Sequence, residues 1–323
     1  MQSPVSETAT RTARRVATVE AWNTCVGDEL WRMDSRGVRS SRKSAGLRAG
    51  RTSLALRGQM LAVCLLLGVA GCSATGGAPA ADVEVRGLPQ AGFSETIPGT
   101  TRSLDFVAIP NGQLDGATVE GFYVSATEVP WIAYLAMIFE ADDPATDDVW
   151  DGFSRPSKPY INIDRGWGQQ DEPVISISQN GAHAFCDWLT RHTGRVHRLP
   201  TELEWEYAAR GGSSTSWSTG KRASSLPAQA WFKVNSGGRT RPVGTGEANA
   251  FGLYDVHGNA AEWVAEGWLV GGSYGDQAED LAFGKRKKAS PAWNASDPQI
   301  PKSTWWLADA PFAGLRVVCE VAP

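Results

Sequence analysis

Histidine and cysteine are scarce in this chain of 323 residues, with four of one and five of the other, and only Cys186 and Cys319 lie beyond Cys72. His183 and His192 stand nine positions apart, which misses the i, i+4 spacing of a helical metal pair, and no triad of His and carboxylate falls at ligand spacing. No local motif therefore offers a histidine-based metal centre. Long apolar runs are missing too: the stretch at residues 60–70 is as long as a secretory h-region but short of the ~20 residues that cross a bilayer. Surplus basic charge ends early. Residues 1–72 hold 11 Lys and Arg against 5 acids, which leaves 20 against 30 in the rest, so no basic face for nucleic acid is expected there.

What is present suits one globular unit behind a leader. Apolar content of 42% and 14 Trp supply a core, while 35 Gly and 18 Pro call for much loop and turn. Residues 1–59 show no sustained period. Arg51 and Arg57 then flank the apolar run, which ends in Val69-Ala70-Gly71-Cys72. That tetrapeptide is similar to the bacterial lipobox, in which signal cleavage leaves the cysteine as an acylated N-terminus. Two or more acyl chains hold a protein at a membrane durably. The sequence thus predicts a leader and lipoprotein signal peptide at residues 1–72, lipidation of Cys72, a flexible Ala/Gly/Pro linker at 73–103 and a folded domain at 104–323. Ser73, not Asp, follows the cysteine. By resemblance to lipoprotein sorting rules, this implies the outer membrane of a bacterial cell envelope, facing the periplasm.

Within the domain, residues 104–109 and 119–124 read as strands, divided by the Pro110-Asn111-Gly112 turn. Helical spacing predicts helices over 128–140 and 178–193, the second burying Phe185, Cys186, Trp188 and Leu189. A third is expected over 202–210, with Thr201 as cap and Glu204 completing a capping box. Trp205 and Tyr207 read as core; Glu202, Glu204 and Glu206 read as a solvated or dipole-complementing face. Beyond Gly212 the chain is mostly loop, with turns at Ser236-Gly237-Gly238 and Gly244-Thr245-Gly246.

The stretch at 249–263, Asn-Ala-Phe-Gly-Leu-Tyr-Asp-Val-His-Gly-Asn-Ala-Ala-Glu-Trp, brackets a Gly-Asn turn with Asp255 and Glu262. Its spacing suits either a solvated acidic turn or a hard-cation site, since calcium takes about 6 to 8 oxygens. The stretch closely resembles a hallmark of the formylglycine-generating enzyme family, the sulfatase-modifying factors. The segment at 198–212, Arg-Leu-Pro-Thr-Glu-Leu-Glu-Trp-Glu-Tyr-Ala-Ala-Arg-Gly-Gly, resembles the second hallmark. Weaker matches extend the resemblance over roughly residues 104–320.

The resemblance implies an α+β fold, formylglycine-generating-enzyme-like with a C-type-lectin-like core and little regular secondary structure. It implies calcium at Asp255, Glu262 and the carbonyls of Gly258 and Ala260. A second calcium site is in doubt, because Trp231 follows Ala230 where the family has Asn. It also implies a disulfide between Cys186 and Cys319. Catalytic members carry a cysteine pair after Gly-Gly-Ser that holds copper(I) and oxidises a substrate cysteine to formylglycine, a chemistry that needs soft thiolates. Here Gly271-Gly272-Ser273 leads into Tyr274, Gly275, Asp276 and the basic run Lys285-Arg286-Lys287-Lys288, with no cysteine before Cys319. No copper is expected. The function implied is a lipid-anchored binding or sensor module with an envelope protein partner; the alternative is an oxidative tailoring enzyme resembling the pyoverdine-maturation branch.

Overall fold

The computed structural model describes residues 91–140, 156–160 and 162–321. Cys72, the leader and most of the expected linker lie outside the described residues. The fold begins earlier than residue 104. β1 (Phe93–Thr96) pairs antiparallel with β2 (Ser103–Ile109), Phe93 opposite Phe106. β3 (Gly112–Leu114) and β4 (Ala117–Val119) form a hairpin with Asp115 and Gly116 at positive φ, as a two-residue turn requires. β5 (Phe122–Ser125) follows and pairs with β2. The single strand expected over 119–124 is therefore split between β4 and β5, at the point where the Gly121 N–H donates to the side chain of Asn111.

α1 (Trp131–Glu140) starts three residues later than the spacing predicts, behind Pro130, and buries every residue from Trp131 to Ile138. A helix apolar all round belongs inside the core. α2 (Gln179–Thr193) is capped by Ser178, which accepts from the Gly181 N–H, and is ended by Gly194 at φ +72. β6 (His197–Arg198) leads into α3 (Glu202–Arg210), whose capping box from Thr201 and Glu204 forms as expected. Glu202 and Glu204 stand in the first turn of α3, where they complement the helix dipole, and the three glutamates are paired instead of solvated: Glu204 with Arg198, Glu206 with Arg210 and Glu202 with Arg286.

The remaining strands are short. They are β7 (Ala230–Trp231), β8 (His257–Gly258), β9 (Ala261–Trp263), β10 (Trp268–Val270), β11 (Lys287–Lys288), β12 (Ala313–Gly314) and β13 (Val318–Cys319). The larger sheet runs β1-β2-β5-β13-β6, so β13 enters it between β5 and β6; a second runs β11-β10-β9-β12. Strand alternation divides the larger sheet's side chains. Leu104, Phe106, Tyr123 and Cys319 pack with α1 and α2, whereas Ile109, Phe122, Val124 and Val318 pack with Trp205, Ala208 and Ala209 of α3. Trp131, Tyr134, Phe185 and Trp306 interlock between the helices, with ring centroids 5.6–6.4 Å apart. Each such pair adds ~0.5–1.5 kcal/mol beyond its buried area.

Candidate functional site

The two sequence hallmarks meet at one side chain. Asn249 donates to the carbonyls of Ala208 and Ala209 at the end of α3 and accepts from the N–H groups of Phe251 and Leu253, fixing the start of the 249–263 stretch on the helix. Further on, Asp255 (φ +55) and Asn259 (φ +48) occupy the left-handed region, and Gly258 at φ +81 passes so close to Trp231 that a Cβ would lie 2.2 Å from its carbonyl oxygen. This folding turns Asp255 and Glu262 into the interior.

Glu262 differs from the calcium ligand expected. It is fully buried, and both its oxygens are already engaged: Arg316 Nε donates to Oε1 and Oε2, Arg316 Nη2 donates to Oε1 at 2.8 Å, and Trp205 Nε1 donates to Oε2 at 2.6 Å. Its lone pairs are used, and the nearest cation is a guanidinium. Asp255 is different. Its Oδ2 accepts from the Gly244 N–H, while its buried Oδ1 has no partner. A third buried carboxylate is Glu128, which the sequence presents as the start of a helix; it accepts from Asn259 Nδ2 and from the Ala260 N–H, both at 2.8 Å.

Three carboxylates thus share one guanidinium in a place without solvent. Burial, opposed by the Gly244 N–H and by Arg316, pushes the Asp255 carboxyl up to about 6. Burial, followed by the charges of Asp255 and Glu262, raises Glu128 well above the carboxylate range. Of the three, only Asp255 keeps a buried oxygen without a partner, and that atom fits a hard cation. Glu262 would act there through charge alone.

The segment where a cysteine pair would stand holds a salt bridge. Asp276 Oδ2 accepts from the N–H and the hydroxyl of Ser273, both at 2.7 Å, and Lys287 Nζ lies 2.6 Å from Oδ1. Lys287 also sits over the ring of Phe312, 4.7 Å from its centroid. Aromatic contacts continue outward from there. Phe312 meets Trp293 edge-on at 5.4 Å, and Trp293 meets Trp263 at 6.0 Å. On the other side of Asp276, Tyr274 meets Trp167 edge-on at 5.0 Å. The strip ends in an open cavity of about 310 Å³ whose walls include Trp263, Trp293 and the first turn of α2. Sequence reading found Asp276 and the basic run but not this row of rings, which converge from distant segments.

Cys186 and Cys319 are both buried free thiols in the same core, on the side of the larger sheet that α2 covers. Burial pushes Cys319 up to about 11 and raises Cys186 further. His192 bonds Glu140 and the Trp188 carbonyl, and His183 is exposed. Among the described residues no group of three His, Cys, Asp or Glu side chains gathers for a metal, and no helix is long and apolar enough to cross a membrane.

Residues 96–320 match the model of the sulfatase-modifying factor enzyme 1-like domain. The chain belongs to that family. Formylglycine-generating enzyme from Bos taurus is 37% identical over 112 residues, covering 31% of this chain and 28% of that protein. Inactive C-alpha-formylglycine-generating enzyme 2 from Mus musculus is 33% identical over 144 residues, covering 39% of this chain and 45% of that protein. The chain thus spans less than half the length of these curated relatives. Treponema denticola variable protein 1 shares the fold, with a TM-score of 0.52 at 22% identity over 71% of this chain and 99% of that one. The sulfatase-modifying-factor domain is α+β, with the family's formylglycine-generating-enzyme-like architecture.

Proposed function

We propose that this sulfatase-modifying-factor domain is a lipid-anchored binding or sensor module of a bacterial envelope, with an envelope protein as partner, and not a formylglycine-generating oxidase. One observation carries the reading: after Gly271-Gly272-Ser273, the polar centre is the Ser273, Asp276 and Lys287 cluster, which contains no sulfur. Copper(I) oxidation needs soft thiolates, and a carboxylate already neutralised by an ammonium offers none. The inactive relative from mouse shows that loss of activity has precedent in the family.

The reading includes a structural calcium ion drawn to Asp255 and a disulfide between Cys186 and Cys319 in an oxidising periplasm. Its anchor is Cys72. The test is fractionation of cells making the full chain or Cys72→Ser. The full chain should sediment with membranes and the variant should move to the soluble envelope fraction; equal retention of both removes the anchor from the account.

A further inference from the structure

The cavity at the end of the aromatic strip has no assigned role. It measures about 310 Å³ and is lined by residues of four segments: 178–180 at the start of α2, Trp263 of β9, residues 289–291 with Trp293, and Leu307. None of these side chains carries a charge. Cations are further disfavoured because the positive end of the α2 dipole opens there, while no Lys or Arg lines the wall to hold a strong anion. The ligand that suits it is therefore neutral.

Its walls divide by chemistry. Trp293 is half-buried, and its ring meets Trp263 at a tilt and Phe312 edge-on, contacts that restrain the indole as a platform at the cavity. Around it stand amides and hydroxyls. Ser178 and Gln179 are already oriented by internal bonds, Ser178 Oγ accepting from the Gly181 N–H and Gln179 Nε2 donating to the carbonyls of Val264 and Ala265. Asn180 is exposed at the mouth, and Ser290 caps the short helical turn that carries Trp293. A rigid aromatic face with an uncharged polar rim matches a ring that is apolar on its C–H face and hydroxylated at its edge. A purely apolar peptide side chain would use the indole and give the exposed Asn180 amide no ligand partner.

We infer that this cavity binds a neutral sugar ring of a glycan, stacked on Trp293 with its hydroxyls toward Asn180 and Ser290. The inference rests on the binding-module reading and names its ligand class. It is tested by titrating the full chain, followed by tryptophan fluorescence, with trimers of glucose and of N-acetylglucosamine and with a neutral apolar tripeptide. At least one trimer should give a saturable change, and Trp293→Ala should weaken it by about tenfold or more, while Trp293→Phe retains part of it. Unaltered melting of both variants secures that they are folded; if Trp293→Ala melts early, Asn180→Ala at the exposed mouth replaces it and should weaken binding severalfold. Three outcomes overturn the inference: no saturable response to either trimer, a response indifferent to these substitutions, or tighter binding of the tripeptide. Each of them leaves the Cys72 anchor and the sulfur-free centre as they stand, so failure here is separable from failure of the binding-module reading.

Discussion

Arg316 Nη2 stands 2.8 Å from Glu262 Oε1, and neither side chain has any exposure to solvent. The same guanidinium donates to the carbonyls of Ser125 and Tyr254, so it ties β5, β9 and the 249–263 stretch into one unit. Removing one partner of a buried pair strands the other's charge, at a typical cost of about 3 to 5 kcal/mol. Arg316→Met should show that loss in urea unfolding, since it leaves Asp255, Glu128 and Glu262 with no cation. A loss below ~1 kcal/mol would mean that the carboxylates are neutralised by something else.

Calcium is the candidate for part of that neutralisation. A ligand that binds only the folded state stabilises it by mass action, about 2.7 kcal/mol at a hundred times its dissociation constant. Calcium should raise the melting temperature, chelator should reverse the rise, and Asp255→Asn should abolish the response. Indifference of the wild type to calcium and chelator would leave Asp255 an acid held in place by protons alone.

Acid should unfold the domain partly through His257. This side chain is fully shielded, its Nδ1 facing the Leu281 carbonyl and its Nε2 accepting from the Ser218 N–H, and burial pushes its pKa down to about 4 from the ordinary 6.5. The folded state keeps the ring neutral while the unfolded chain takes up a proton, so its stabilising contribution is complete above pH ~6.5 and is lost as pH falls toward 4. His257→Gln should therefore cost more stability at pH 7.5 than at pH 4.5. Equal cost at both values would show that the folded ring titrates normally.

Local chemistry made the helices legible. The capping box of Thr201 and Glu204 spans three residues, so its signal sits side by side in the sequence, whereas Ser178 reads as the first residue of its helix and caps it instead. The charged centre was not legible in the same way. Glu128, Arg316 and the 249–263 stretch with Asp255 and Glu262 come from three separate places in the chain, and Glu128 reads as an ordinary helix start until Pro130 shifts α1 onward and turns the carboxylate inward. β1 was missed because Phe93-Ser94-Glu95-Thr96 is too short and polar to signal a strand; pairing with β2 creates it. The Trp293 platform fails for a similar reason: rings at 263, 293 and 312 gain meaning only when β9, β12 and the intervening loop converge.

The two remaining cysteines offer a check on compartment and fold together. Cys186 and Cys319 share a core, and a bridge between them would close a long loop, worth typically about 2 to 4 kcal/mol. In protein exported to the periplasm, a non-reduced digest should contain the linked peptide pair. Alkylation of both cysteines under denaturing, non-reducing conditions would show that the thiols stay free, as they stand in this structure.

The centre after Gly271-Gly272-Ser273 holds an ion pair of Asp276 and Lys287. The direct measurement is mass spectrometry of a cysteine-bearing sulfatase peptide incubated with the purified chain, copper(I) and oxygen, beside a sample lacking the protein. No conversion of cysteine to formylglycine is expected above the protein-free sample. Conversion by the wild type that disappears in Asp276→Ala would contradict it.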